Sequence, residues 1–251
     1  MSTKEKNKIT IETCCGSLED AILSQAAGAN RIELNSSLFQ GGLTPSAGTL
    51  HQVLKEIQIP VMAMIRPRGG GFCYTPEEFR CMIEDIRIFK KMGVQGVVFG
   101  ILKEDGTVDV ERNALLLNEC SGIETVFHRA IDVVPDRKAA LEELISLGFT
   151  RILTTGGAPD VMEVLPEVKQ MIEQAAGRIQ ILPGGSQPHT VDHIVTECGC
   201  DQLHIARFVP RHDSSCAAGQ RIFFGGALYP PEDRYEILDR RFIEAFRTIE
   251  K

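Results

Sequence analysis

The sequence predicts an α/β fold, a single TIM-like (β/α)8 barrel, from three observations. Short apolar segments suited to buried strands recur about every 20 to 35 residues, the length of one strand–helix unit. Glycines end the helices between them, as at Gly28, Gly93, Gly148 and Gly199, because glycine adopts the left-handed conformation at little cost. Eight such units fit within 251 residues, which matches the size of an eight-stranded barrel.

Each predicted strand is an apolar run that follows a helix stop or a turn. Between the strands, apolar residues at helical spacing predict amphipathic helices, and the clearest stripe includes Met82 and Phe89. That helix has its own start signal, since Thr75 is followed by Pro76 and by Glu78, which completes a capping box. A doubly wound sheet is the structural alternative, but no G-x-G-x-x-G follows the first strand. The predicted strands begin near Ile9, Arg31, Val61, Gly96, Glu124, Arg151, Ile179 and Gln202.

The chain contains no segment that reads as a linker, so we expect one domain over residues 1–251, with a core from about 9 to 249. Residues 206–235 form a long excursion after the last predicted strand, rich in glycine, proline and arginine. Loops of this length are usually functional or flexible.

The charge balance excludes several function classes. A net charge of −7 argues against binding to nucleic acid or to anionic membranes. No apolar run approaches the length of a membrane span, and the lysine-rich start of the chain does not resemble a signal peptide. We therefore expect a cytoplasmic protein.

Polar side chains alternate with aliphatic ones along several predicted strands. If the aliphatic faces pack on the helices, Glu12, Glu33, Arg66, His128 and His204 point into the barrel near its C-terminal mouth. Buried charges need each other or a ligand, because a lone buried charge is costly. Two nearby carboxylates would raise one pKa, and a histidine could shuttle a proton near neutral pH. These residues are thus candidates for acid–base catalysis or for a structural network that fills the barrel.

Two arginines and several glycines suggest an anion site. Arg66 and Arg68 follow a buried strand and precede three glycines, so they could hold a carboxylate or a phosphate. Surface ion pairs are the alternative for both arginines. The turns at Gly156 and at Gly184–Gly185 follow the sixth and seventh strands, where backbone N–H groups could cradle an anion. The same glycines could serve only to make tight turns.

The eight cysteines include no CxxC pair, which gives little support to a zinc ribbon, and we expect reduced thiols. Cys14 and Cys15 end the first strand, and Cys73 lies in the loop after the third. Thiolates are preferred ligands of Cu(I), so these three are candidate metal ligands. A buried free cysteine can also act simply as a small hydrophobic residue.

Six phrases together resemble the CutC family of copper homeostasis proteins: Ile11–Cys14, Ala29–Leu34, Gly41–Ser46, Ile65–Tyr74, Phe127–Ala130 with Asp132, and Arg151–Thr154. The resemblance implies a TIM-like barrel, a cytoplasmic setting, a homodimer or higher homo-oligomer, and a role in copper handling. It also implies copper ligands at two cysteines, one ending the first strand and one ending the second. Cys14 matches the first position, whereas Asn35 stands at the second.

Two functions follow from these patterns. The first is a cytoplasmic copper homeostasis protein that binds Cu(I) weakly through Cys14, with Cys15 or Cys73 as further ligands. The second is a barrel enzyme that acts on a small anionic or phosphorylated metabolite through the Glu/Arg/His pocket and needs no metal. The two functions differ in whether the protein catalyses a reaction, and the sequence is compatible with both.

Overall fold

The computed structural model describes residues 9–219, 223–224 and 232–246. Within these residues, eight parallel strands follow one another around a sheet in the order β7-β6-β5-β4-β3-β2-β1-β8. A bridge between Gly184 and His204 brings the two outer strands together, so the predicted TIM-like barrel is confirmed. The strands are β1 Thr10–Cys15, β2 Arg31–Leu34, β3 Val61–Met64, β4 Gly96–Phe99, β5 Glu124–Phe127, β6 Arg151–Thr154, β7 Gln180–Pro183 and β8 Gln202–Ile205.

Helices alternate with these strands and pack on the outside of the barrel. The first and fifth helices end at Gly28 and Gly148, whose φ angles of 93° and 87° are left-handed as predicted. Thr75 and Glu78 form the predicted capping box at the start of the third. The helices are α1 Leu18–Ala27, α2 Ala47–Glu56, α3 Pro76–Lys91, α4 Val110–Glu119, α5 Arg137–Leu147, α6 Leu165–Ala175, α7 Val191–Cys198 and α8 Arg240–Phe246. No described helix is both long enough and apolar enough to cross a membrane.

The barrel interior is layered. Its middle is an apolar cluster contributed by the five strands β3 to β7, namely Met62, Met64, Val98, Val126, Leu153 and Leu182. Below it, toward the strand N-termini, Arg31 and Arg151 each donate to Gln202 Oε1 at 3.0 Å. Arg151 also pairs with Glu124 at 2.9 Å. Because these two layers close the barrel from below, a cavity can open only at the C-terminal end of the strands.

The excursion after β8 is a hairpin in the part that the structure describes. Strand β9, Phe208–His212, pairs antiparallel with β10, Arg234–Leu238, and a short 3₁₀ helix spans Ser214–Gly219. The hairpin is anchored on α1, because Leu238 N donates to Asp20 Oδ1 at 2.9 Å. The predicted end of the core near residue 249 lies outside the described residues.

Candidate functional site

A cavity of about 590 Å³ lies at the C-terminal mouth of the barrel. Four of the five predicted pocket residues line it, namely Glu33, Arg66, His128 and His204. Cys14 lines it as well. Strand register explains this grouping, since β1 and β2 pair with Cys14 opposite Glu33 and Glu12 opposite Arg31. The same register places Glu12 beneath the cavity rather than in its wall.

Glu12 holds His204 from below. One carboxylate oxygen lies 2.9 Å from His204 Nδ1, and the other accepts from Arg31 Nε. Burial works against the ionised form of Glu12, but the hydrogen bond to His204 and the charge of Arg31 lower its pKa to about 2. Burial also works against the charged form of His204, yet the hydrogen bond to Glu12 and the carboxylates of Glu33 and Glu12 raise its pKa. The two residues therefore form a carboxylate–imidazolium pair.

Glu33, Cys14 and His204 meet in the cavity wall. A ligand atom of each lies within 4.8 Å of the others, which is the spacing of a possible metal site. Asn35 Nδ2 donates to Glu33 Oε2 at 2.8 Å and lies 3.4 Å from Cys14 Sγ. Burial raises the pKa of Glu33. Burial, with the nearby charge of Glu33, raises the pKa of the Cys14 thiol well above its usual value.

Arg66 is buried, and no carboxylate pairs with it among the described residues. Its Nη1 donates to the carbonyl oxygens of Gln40 and Gly42, each at 2.9 Å, and its Nη2 donates to that of Gly70 at 2.8 Å. Three backbone carbonyls thus fix the guanidinium without neutralising it. The alternative of a surface ion pair does not hold for this arginine.

Arg68 does not share this role. It does not line the cavity, and its Nε pairs with Glu78 at 2.6 Å. Its remaining donors bind the carbonyl oxygens of Gly69, Gly71 and Cys73. Arg68 therefore shapes the glycine loop, and the predicted two-arginine clamp is reduced to Arg66.

His128 is a neutral ring with a fixed tautomer. Its Nδ1 accepts the N–H of Ala130 at 3.3 Å, so the ring proton resides on Nε2. Burial and the charge of Arg66 lower the pKa of His128 to about 3. Gly100 makes room for the ring, because a Cβ at that position would lie 2.7 Å from Nδ1. The predicted role of His128 as a proton shuttle near neutral pH does not fit this environment, whereas a hydrogen-bond donor does.

The glycine turns do not offer the anion cradle that we expected at Gly156 and Gly184. Gly156 N donates to Thr154 Oγ1 at 2.9 Å, and Gly184 N donates to Thr154 O at 2.8 Å. Asp132 Oδ1 accepts the N–H groups of Thr155 at 3.1 Å and Gly157 at 3.2 Å. The carboxylate of Asp132 thus occupies the place where these amides could bind an external anion.

Gly184 and Gly185 still line the cavity, whereas Gly156 does not. Gly185 has a left-handed φ of 82°, which suits the tight turn that was the alternative for these glycines. The two glycines therefore contribute shape to the cavity wall.

The other two predicted metal ligands do not join Cys14. Cys15 is fully buried on the opposite face of β1, with its Sγ 3.1 Å from Ser24 Oγ, and burial raises its pKa to about 12. Cys73 is exposed and does not line the cavity. The alternation of a strand separates Cys15 from Cys14, and the conformation of the glycine loop turns Cys73 outward.

Unpartnered polar atoms surround the cavity. Five residues that line it each have one buried side-chain atom without a hydrogen-bond partner among the described residues: Glu33 Oε1, Asn35 Oδ1, Arg66 Nε, His128 Nε2 and Ser186 Oγ. Two further such atoms, on Tyr74 and Arg151, belong to residues outside the lining. An unsatisfied buried group costs about 1–3 kcal/mol, so a cluster of them indicates a place for a polar ligand.

Three residues of this site were missed from the sequence. The sequence patterns assign no site role to Asn35, Ser186 or Arg31. Asn35 directly follows β2, and a polar residue in that position is the signal that could identify it, whereas Ser186 follows β7 by three residues.

Comparison with known proteins identifies relatives along most of the chain. The model of the CutC family matches residues 9–208. A Treponema denticola protein named family protein CutC is 52% identical over 230 residues, covering 91% of this chain and 94% of the relative. A human protein named copper homeostasis protein cutC homolog is 39% identical over 246 residues, covering 98% and 90%. A crystal structure of CutC from Streptococcus agalactiae has a TM-score of 0.74 at 38% identity and covers 78% of this chain and 98% of that chain.

Proposed function

This chain belongs to the CutC family, and we propose that it is an enzyme that binds a small anionic metabolite in the cavity at the barrel mouth. One observation carries the proposal, namely the five unpartnered buried atoms on residues around a cavity of about 590 Å³. In the Arg31–Gln202–Arg151 layer below the cavity only one such atom of the described residues, Arg151 Nη1, lacks a partner, whereas five lie around the cavity.

The residues divide into two roles in this proposal. Arg66, which lacks a carboxylate partner, supplies the positive charge that attracts an anion. Glu12 holds His204 in one orientation through the 2.9 Å contact to Nδ1, which leaves the other ring nitrogen for proton transfer. Glu33, close to His204, is the second group that can exchange a proton with a ligand.

A thermal-shift screen of small anionic metabolites tests the proposal. A ligand that binds only the native state at one hundred times its dissociation constant stabilises it by about 2.7 kcal/mol. We expect such a shift for the wild type and its loss in Arg66→Ala. Arg80→Ala is the matched control, because Arg80 is an exposed arginine on α3. Equal shifts in the wild type and Arg66→Ala would contradict a role for Arg66 in binding.

A second candidate is copper handling, favoured by the cluster of Cys14, Glu33 and His204 within 4.8 Å. The human relative is named for copper homeostasis. Cu(I) prefers sulfur ligands, and Met64 adds a thioether to the same cavity lining. However, the cluster has a single thiol, its pKa is raised by burial, and Asn35 occupies the place of a second cysteine. A mixed sulfur, nitrogen and oxygen set also suits Zn²⁺, so the residues fit only a weak Cu(I) site.

Competition against a Cu(I) chelator tests the copper candidate. We expect weak binding by the wild type, loss of that binding in Cys14→Ala, and no change in Cys73→Ala, whose thiol is exposed and outside the cavity. If Cys14→Ala binds Cu(I) as well as the wild type, Cys14 is not a ligand.

The cellular setting belongs to the proposal as well. We propose a cytoplasmic protein, supported by its net charge of −7 and by the absence of a membrane-spanning helix among the described residues. We also propose a homodimer or a higher homo-oligomer, as the family resemblance implies. Light scattering tests the assembly, and a purely monomeric profile would contradict it.

A further inference from the structure

Among the described residues that line the cavity, Arg66 is a cation without a carboxylate partner. Arg129, which lines it, pairs with Asp132 at 2.9 Å, and His204 pairs with Glu12 at 2.9 Å. Among the described residues, the guanidinium of Arg66 donates to three backbone carbonyl oxygens and lies 5.3 Å from the centre of the Phe72 ring. One buried guanidinium without a partner matches a ligand group that carries one negative charge.

A hydrogen-bond donor accompanies this charge. The His128 ring lies 4.7 Å from the same Phe72 ring, so His128 and Arg66 are held against a common side chain. Because Nδ1 accepts from Ala130, the unpartnered Nε2 of His128 carries a hydrogen and can only donate. Arg66 and the Nε2 donor of His128 therefore suit an acceptor group such as a carboxylate, and Ser186, in the loop after β7, adds an unpartnered hydroxyl to the same lining.

A phosphate fits this side less well. In the loop after β6, the amides of Thr155 and Gly157 already bind the carboxylate of Asp132, so this loop offers neither amide to a phosphate. A phosphate monoester carries up to two negative charges near neutral pH, and the described lining offers one unpaired cation. A carboxylate matches both the charge and the donors.

Unpartnered oxygen atoms, rather than N–H donors, lie at the end of β2. Asn35 donates through Nδ2 to Glu33 Oε2, which leaves Asn35 Oδ1 and Glu33 Oε1 without partners. Asn35 Oδ1 can only accept a hydrogen bond. A ligand hydroxyl has one hydrogen: it can donate to Asn35 Oδ1 while its oxygen accepts from a protonated Glu33, or it can donate to an ionised Glu33 instead.

From this division we propose that the cavity binds a small hydroxycarboxylate, with its carboxylate at Arg66 and His128 and its hydroxyl at Asn35 and Glu33. The inference rests on the proposed function and narrows its anionic ligand to one chemical class. The glycine at position 42 is consistent with this arrangement. A Cβ on Gly42 would lie 2.5 Å from Asn35 Oδ1, so the glycine makes room for the amide in this orientation.

Calorimetric titration of the unmodified protein with two matched pairs of compounds tests the ligand class. Lactate against propionate isolates the hydroxyl, and glycerate against glycerol 3-phosphate compares a carboxylate with a phosphate. We expect the hydroxy acid to bind about tenfold or more tightly than its deoxy partner, as for one hydrogen bond to a buried charged or polar site. We expect glycerate to bind more tightly than glycerol 3-phosphate.

Two variants assign the ends of the ligand. His128→Phe should weaken lactate and propionate alike, about tenfold, because both bear the carboxylate. Asn35→Ala should weaken lactate and leave propionate unchanged. The melting temperature of each free variant is measured first. If a variant does not fold, the two compound pairs on the wild type still decide the ligand class.

Each outcome separates the inference from the function on which it rests. Tighter binding of glycerol 3-phosphate than of glycerate overturns the inference and leaves an anion-binding enzyme standing. Equal binding of lactate and propionate overturns the placement of the hydroxyl. If neither carboxylates nor phosphates bind at tens of millimolar while Cu(I) binds through Cys14, both the inference and the enzyme proposal are wrong.

Discussion

Glu12 and His204 lie on the adjacent strands β1 and β8, with a carboxylate oxygen of Glu12 2.9 Å from Nδ1 of His204. Arg31, on the other side of β1, donates to the second carboxylate oxygen. The pair lies at the floor of the cavity on two neighbouring strands, and β8 also meets the other end of the sheet through the Gly184–His204 bridge. Its ionisation state therefore bears on both the stability of the barrel and the chemistry above it.

Replacing Glu12 with Gln should destabilise the protein most strongly in mildly acidic solution. The lowered pKa of Glu12, about 2 against 4.5, gives stability above pH 4.5 that is lost as the pH falls toward 2. The raised pKa of His204 gives stability that is complete below pH 6.5 and is lost as the pH rises through the folded value. Between these limits we expect a loss of about 3–5 kcal/mol, as for a broken buried ion pair.

Urea unfolding at pH 5.5 and at pH 9 measures this effect. Glu77→Gln is the control, because Glu77 forms only an exposed ion pair on α3. A loss that is the same at both pH values would contradict a change in the charge of His204 between them.

Much of this site could be predicted from the sequence. The alternation of aliphatic and polar residues correctly directed Glu33, His128 and His204 inward, because the aliphatic faces pack against the helices. The partner of Glu12 could not be predicted in this way. We expected Glu12 to lie beside Glu33, but the stagger of β1 and β2 places Arg31 opposite Glu12 and moves Glu33 one layer higher. The register of β1 against β2 depends on how the two strands pair, which neither strand encodes alone.

The sequence pattern also could not show which of two nearby arginines lines the cavity. Arg66 and Arg68 are separated by one residue and looked equivalent, yet only Arg66 enters the cavity wall. The difference arises from partners supplied by other segments. Carbonyl oxygens of the loop before α2 hold Arg66, and Glu78 of α3 holds Arg68.

His128→Gln should make the protein more resistant to acid relative to the wild type. The pKa of His128 is lowered from 6.5 to about 3, so the unfolded chain binds a proton that the folded protein excludes. The wild type should therefore lose about 1.4 kcal/mol per pH unit, relative to the variant, as the pH falls from 6.5 toward 3. Denaturant unfolding at pH 4.5 and 6.5 checks the difference. A variant at His51, an exposed residue of α2, is the control, and parallel pH profiles for the wild type and His128→Gln would contradict a buried neutral ring.

Gly100→Ala should disturb the site through a single methyl group. The added Cβ would lie 2.7 Å from His128 Nδ1 and 3.0 Å from the Phe127 ring, both closer than normal contact. We expect a loss of about 1–3 kcal/mol in the free energy of unfolding, as for overpacking in a core. Gly71→Ala is the control, because a Cβ there meets nothing within 4 Å. Unchanged stability in Gly100→Ala would mean that His128 can move aside freely.

Asp132→Ala should create an anion site that the wild type lacks. Asp132 accepts from Thr154 Oγ1 at 2.5 Å and from the amides of Thr155 at 3.1 Å and Gly157 at 3.2 Å, and it pairs with Arg129 at 2.9 Å. Removing the carboxylate leaves these donors and one cation without a partner, which should destabilise the free protein by about 1–3 kcal/mol or more. The same groups then match an external oxyanion.

Sulfate should therefore raise the melting temperature of Asp132→Ala more than that of the wild type. Asp105→Ala is the control for nonspecific salt effects, because Asp105 lies in an exposed turn and binds only Thr107. Selective rescue of Asp132→Ala by sulfate would support the view that an internal carboxylate fills the phosphate position of this barrel. Equal shifts in all three proteins would refute it, and would restore the late loops as a possible phosphate site in the wild type.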